Sequence, residues 1–441
     1  MPELMPFRGI RYDEAVAGGL ERNIAPPYDV VDDGLYKKLL AASPYNAVRL
    51  TLPAGPSAHE GGAADPASFQ RAALLLRQWL WQGILRRDDK PAIYVYDQRF
   101  ALQGQTHSRT GFVALMRLVE FGKGIRPHER TLSAPKQDRL KLLRATKANF
   151  GQVFALYEDE TRRVDRLLDL AKAAPPLAAA GEGIHHSLWA ITDPARLQRI
   201  ETLMRNAEIF IADGHHRYET ALNYMHETPD SPAARYRMMT FVNMSNPGLV
   251  VLPTHRLVHG LPGFDGKLLL KRLEAQFAIE RLAGDDVGAL VTRLQDKQRA
   301  RRRAFGLYFG DGNYYIAVLR DLAAMDAAPV QSPAWKRLDV AILHSLVLEA
   351  ALGIKPEAVA AGRNIEYVKD LGDFGEDSPV AEAARKVREG RAQAVFFLNP
   401  ARVEDVAAVA REGEKMPQKS TFFYPKVYTG LVMRMLDDDP K

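Results

Sequence analysis

Cysteine is absent from the 441 residues, which excludes disulfides, thiolate metal sites, a cysteine nucleophile and thiol redox chemistry together. Also missing is a clean apolar run of membrane-spanning length. The most apolar stretch, Leu338 to Leu352, is interrupted by Asp339, His344 and Glu349 and reads as a buried helix. The N-terminus lacks the basic start and apolar stretch of a secretory signal, so a cytoplasmic protein with no membrane partner is expected. No G-x-x-x-x-G-K-[ST] loop, G-x-G-x-x-G after a strand, G-x-S-x-G elbow or kinase signature set occurs, which disfavours the standard nucleotide and hydrolase folds. Excess charge of one sign is small, +6 overall, and basic residues are scattered without a helix-turn-helix, so a nucleic-acid partner is disfavoured.

What is present is ordinary globular composition, 46% hydrophobic and 26% charged, so the chain should fold. Its length exceeds one ordinary core and predicts two packing units. Alternating strand and helix patterns lead up to residue 226, and the pattern restarts beyond Pro262 with a helix at Gly266 to Phe277 and paired strands at Phe305 to Phe309 and Tyr314 to Leu319. The expectation is a mixed α/β fold: an α/β domain over 1–262 and a smaller α+β domain over 263–441. Further expectations are extended runs at Phe7 to Tyr12 and Ala47 to Leu52, a loop at Pro53 to Ser68, and an amphipathic helix at Phe69 to Gln82 carrying Trp79 and Trp81 at apolar positions. The low-complexity Ala174 to Gly183 segment is expected to be a surface loop.

The segment Glu208 to Leu222 combines a buried strand, an Asp-Gly turn and a helix entry, so free backbone N–H groups of a first helical turn face one point, suited to an anion. Asp213 can cap that helix, Gly214 permits close backbone approach, and Arg217 offers a planar fork for phosphate or carboxylate. His215 and His216 add donors or a proton carrier, and Glu219, one turn from His215, can orient its imidazole. The plainer reading is a capped helix with an exposed polar first turn. A metal site fits poorly, because adjacent helical histidines point about 100° apart, and no metal ligand is assigned.

A polar loop, Arg126 to Thr131, offers Glu129 as a general base and His128 as a phosphate or metal contact, against an equally simple solvated loop. The basic helix after it, with Lys136, Arg139, Lys141, Arg144 and Lys147, reads first as solvated, with one or two cations turned toward a substrate as the sharper alternative. Near the C-terminus, Lys419, Ser420, Thr421 and Lys426 surround an aromatic strand and have the polar content of a phosphate contact, although edge-strand protection explains them too. Asp29 follows a rigid Pro26-Pro27 turn and matters only if the fold carries it to the same cleft.

Taken together, several segments resemble the bacterial and archaeal domain-of-unknown-function family numbered 1015: Pro6 to Gly9, Ala25 to Val30, Asn46 to Leu50, His128-Glu129-x-Thr131, Ala212 to Leu222, Pro253 to Arg256, Leu338-Asp339 with Leu343-His344, and Lys419 to Lys426. Asp213 to Arg217 is also locally similar to the second motif of the ParB and sulfiredoxin-like superfamily, especially its free-serine kinases. That resemblance implies a ParB-like N-terminal region and phosphoryl transfer from ATP or ADP with Mg²⁺ to a small hydroxyl substrate such as L-serine. It also implies that Gly214, His215, His216 and Arg217 contact phosphates. Those kinases need a carboxylate base, for which Glu129 and Asp29 are the candidates. The rival expectations are a ParB-like nucleic-acid-associated nucleotide switch and a phosphometabolite-binding protein without turnover.

Overall fold

The structure, a computed structural model, describes residues 2–59, 65–129, 131, 133–181, 183–284, 286–327, 331–360, 362–372 and 374–436. Arg130 and part of the 53–68 stretch lie outside them. The chain forms two compact units, residues 1–249 with 425–441, and residues 250–424. The division therefore differs from the expected break at 262 in two ways. Strands Val250–Leu252 and Thr254–Val258 hydrogen-bond within the second unit, and the chain returns to the first unit at Pro425.

The first unit is built on a nine-stranded mixed sheet. Its order runs Ile125–Pro127, Ile209–Asp213, Val153–Tyr157, Tyr236–Asn243, Gln105–Arg117, Ile93–Leu102, Ile184–Ile191, Ala178–Ala180, with Leu4–Met5 also paired to Gln105–Arg117. Only the pairs 125–127 with 209–211 and 153–157 with 239–243 are parallel. The helix His215–Glu227 shows why a helical period was legible: Tyr218, Ala221, Leu222 and Met225 fall on one stripe and pack on the sheet core with Ile209, Ile211, Ala155 and Phe241. The other stripe, Arg217, Thr220 and Tyr224, is buried as well, so this helix is covered on two sides.

The second unit has a six-stranded, wholly antiparallel sheet ordered Phe277–Ala283, Asn313–Leu319, Ala304–Tyr308, Ala394–Leu398, Thr254–Val258, Ile365–Lys369. Its central strand 394–398 is buried at every position. Ala394, Phe396 and Leu398 enter one core, and Val395 and Phe397 enter the other, as a period of two demands of a strand covered on both faces.

Some local expectations needed correction. Val48–Thr51 is a short helix, not extended chain, and Pro56–His59 forms a helical turn inside the expected loop. Ala178–Ala180, within the low-complexity segment, pairs with residues 186–188. In the Ala67–Trp81 helix, Trp79 is buried but Trp81 is 85% exposed, because residues two apart cannot share a helix face. The Leu338 to Leu352 stretch is not one regular helix: Asp339–Ile342 is α-helical and Leu343–Glu349 widens into a π-helix. Among the described residues, no helix is long and apolar enough to cross a membrane.

Candidate functional site

The strand Ile209–Asp213 ends at Gly214, whose φ of 91° places it in the left-handed region at the N-cap of His215–Glu227. A β-carbon there would sit 2.9 Å from Arg217 Nε, so glycine is required both by its backbone and by the guanidinium lying over it. Among the described residues, no side chain caps the helix. Asp213 was expected to supply one, but its carboxylate is taken by two cations: Lys426 Nζ donates to Oδ1 at 2.7 Å and Arg217 Nη2 to Oδ2 at 2.5 Å. Burial opposes the Asp213 charge, yet Lys426 and Arg217 outweigh it and hold the carboxyl well below its ordinary range. Burial opposes the Arg217 charge in the same way, and Asp213, with a further contribution from Asp29, raises its pKa above the usual arginine value. Arg217 Nη1 also donates to the Gln152 carbonyl.

Behind this junction lies a buried histidine pair. The rings of His128 and His215 meet edge to face with centroids 4.8 Å apart. His128 Nδ1 lies 2.8 Å from the Ile211 carbonyl, which assigns it the proton. The His128 backbone N–H donates to His215 Nε2 at 3.3 Å, which makes that nitrogen an acceptor and leaves the His215 proton on Nδ1. Nδ1 faces Glu129 Oε2 at 3.9 Å, and Glu129 keeps 32% of its side chain exposed. Glu219, expected to orient His215, instead accepts hydrogen bonds from Thr131 and from Lys136 Nζ, the latter at 2.6 Å. Burial opposes its charge, but those two donors keep its pKa below the ordinary value.

The structure thus brings Asp213, Gly214, His215, Arg217, His128, Glu129 and Lys426 together in the first unit. His216 is half-buried on the same first turn, where its charge would act favourably on Glu219. Asp29 is exposed within the 3-10 turn Tyr28–Val30 and reaches Arg217 through electrostatics alone. Lys419, Ser420 and Thr421 belong to the second unit. There the Ser420 hydroxyl donates to the Pro417 carbonyl, and the 422–424 strand pairs with 250–252. Of the basic helix, Lys136 and Arg144 pair with Glu219 and Glu227, whereas Arg139 is buried.

Three other family-like segments, Pro253 to Arg256, Leu338 to His344 and Lys419 to Tyr424, lie in the second unit. Arg256, 1% exposed, donates through Nε to His344 Nε2 at 3.3 Å and through Nη2 to the Gln418 carbonyl at 3.1 Å. His344 acts as a neutral acceptor; burial, then Arg256, pushes its pKa well down. Beside them a cavity of about 20 Å³ is lined by Arg256, Arg303, Asp339, Asp405 and Ser420, among others. Asp339 Oδ1 is buried without a hydrogen-bond partner among the described residues, and burial lifts its carboxyl to about 7, with Asp405 raising and Arg303 lowering it. Sequence reading missed this carboxyl because a lone acid in an apolar stretch looks like an interruption. It also missed Arg237, although a single arginine inside the apolar strand Tyr236–Asn243 was a visible anomaly.

Residues 4–341 match the model of the family described as "Protein of unknown function (DUF1015)". No curated protein matches the chain. Among solved structures, it is similar to a mutant of a free serine kinase in complex with ADP, at 14% identity over 70% of this chain and 87% of that one, with a TM-score of 0.34. It is also similar to a conserved hypothetical protein from Pyrococcus furiosus, at 15% identity over 74% and 99% of the two chains, TM-score 0.33. A third is SbnI with a C-terminal truncation from Staphylococcus aureus, at 10% identity over 75% and 90%, TM-score 0.34. With a model that matches more than half of its length, the chain belongs to the DUF1015 family.

Proposed function

We propose that this protein is a nucleotide-dependent phosphotransferase acting on a small hydroxyl metabolite, of which free L-serine is the first to test. The observation that supports it is the helix entry at Gly214, uncapped by any side chain, with Arg217 and Lys426 held beside it on Asp213 and Glu129 close to a buried histidine pair. Phosphoryl transfer asks mainly for positioning and charge stabilisation, which backbone N–H groups and a guanidinium provide without changing covalently. Gly214, His215, His216 and Arg217 would contact the phosphates of ATP or ADP, and Mg²⁺ would arrive with the nucleotide.

Glu129 is the assigned base, because it alone of the two candidate carboxylates lies beside the histidine pair while remaining accessible. It would take the proton of the acceptor hydroxyl as that oxygen bonds to the terminal phosphorus. The bond from phosphorus to the bridging oxygen breaks, and the nucleotide leaves one phosphate shorter. The His215 Nδ1 proton would steady the Glu129 carboxylate. The experiment is to incubate the full chain with ATP or ADP, Mg²⁺ and L-serine and to look for phosphoserine. Glu129→Gln should keep the nucleotide-induced thermal shift and lose about 10²- to 10⁴-fold in turnover. Absence of product together with absence of any nucleotide-induced shift removes the proposal.

A further inference from the structure

Arg217 has a second side. Its Nη2 and Nη1 are engaged by Asp213 and Gln152, but its Nε is buried with no partner among the described residues. The Arg217 side of the helix borders a cavity of about 60 Å³ whose lining includes Tyr28, Arg139, Phe150, Thr220 and Arg237. Two further lining residues carry an atom in the same condition: Arg237 Nε and Thr220 Oγ1 are buried without partners among the described residues. All three residues are more than nine-tenths buried, at 8%, 6% and 3% exposure.

Native proteins rarely leave buried donors unsatisfied, and the exceptions call for an explanation at the site. Here the three residues that carry the unsatisfied groups line one small space, and each group can donate. The charge tells the same story. Asp138 pairs with Arg139, and Asp213 is shared by Arg217 and Lys426; among the described residues no carboxylate lines the cavity and Arg237 has no acidic partner. Arg237 Nη2 donates to the Gly151 carbonyl at 2.6 Å. Burial, then the nearby Arg217 and Arg434, push its pKa down to about 9, the sign of a cation short of an anion. The Tyr28 ring lies 4.3 Å from the Arg139 guanidinium carbon and 5.9 Å from that of Arg217, walling one side with an aromatic face.

We infer that this cavity is an oxyanion site, in which Arg217 Nε, Arg237 Nε and Thr220 Oγ1 receive a carboxylate or phosphate group of a small ligand. Its size suits such a group. At roughly 10–15 Å³ for one water-sized occupant, it holds a handful of heavy atoms, far below the roughly 300 Å³ at which drug-sized ligand pockets begin. A guanidinium beside a hydroxyl is the donor set that planar or tetrahedral oxyanions recognise. The inference stands whether or not phosphoryl transfer occurs at Gly214. If it does, a carboxylate here makes the acceptor a hydroxy acid.

The test is thermal unfolding of the full chain in sodium acetate, sodium phosphate and L-serine, each against sodium chloride at matched ionic strength. A rise in Tm with acetate or L-serine identifies a carboxylate ligand, a rise with phosphate alone identifies a phosphate, and the absence of any rise over chloride overturns the inference. Arg237→Met removes the unpaired charge while keeping bulk. It should raise Tm in the anion-free state and weaken anion binding about a hundredfold. Thr220→Val, nearly isosteric, should weaken binding about tenfold, and it decides the matter if the arginine variant fails to fold. An anion response that survives in both variants also overturns the inference, because it would arise elsewhere on the chain.

Discussion

Asp339 offers a sharp physical test of the second unit. Its carboxyl ordinarily titrates near 3.8 and is raised by burial to about 7 in the folded protein. Between those values the folded state holds a proton that the unfolded chain has released, so stability falls as pH rises through this window and is flat above it. Each pH step within the window is worth about 1.4 kcal/mol, which sums to about 4 kcal/mol; water at the partly exposed residue screens this toward about 2 kcal/mol. Asp339→Asn keeps the shape and removes the titration. Urea unfolding of both proteins at pH values from about 4 to about 8, followed by circular dichroism, isolates the effect as the difference between the two curves. The variant should match wild type near pH 4 and exceed it by about 2 to 4 kcal/mol near pH 8. A difference that does not change with pH, or a variant less stable than wild type at pH 8, refutes the assignment of an unpaired buried carboxyl. The same carboxyl, facing Arg303 and Ser420 across a small cavity, titrates where a general acid or base would be useful.

Two shorter predictions concern the helix entry. Gly214→Ala forces a β-carbon into the left-handed region and against Arg217 Nε, and should cost about 1 to 3 kcal/mol in denaturant unfolding while abolishing nucleotide-induced stabilisation; an unchanged midpoint would show that the turn has another conformation in solution. Asp213→Asn leaves Lys426 and Arg217 without their shared carboxylate and should cost about 3 to 5 kcal/mol at neutral pH. Because the folded Asp213 titrates below its ordinary 3.8, its contribution is complete above about pH 3.8 and is lost as pH falls through the lower folded value. The variant's stability should therefore lack that acid limb, which pH-dependent unfolding detects.

How much could be read in advance depended on the range of the interactions. The strand, the Gly214 turn and the helix from His215 were legible because periodicity and the need for a left-handed residue are local properties of consecutive side chains. The mixed α/β class followed from the same periods. Other features lay beyond local reasoning: Glu219 was assigned to His215 by helical spacing alone, and the fold gave it Lys136 and Thr131 from a different segment.

By itself, then, the order of residues determined most of the strands and helices around the helix entry, and which glycine must turn there. Only the tertiary structure decided that Lys426, near the C-terminus, reaches Asp213, that Glu129 meets His215, that Lys419 to Thr421 belong to the other unit, and that Arg237 joins Arg217 and Thr220 around one cavity. The physical reason is that these pairings are set by sheet order and by where the chain returns. Those are consequences of burying whole faces, and no short window of sequence contains them.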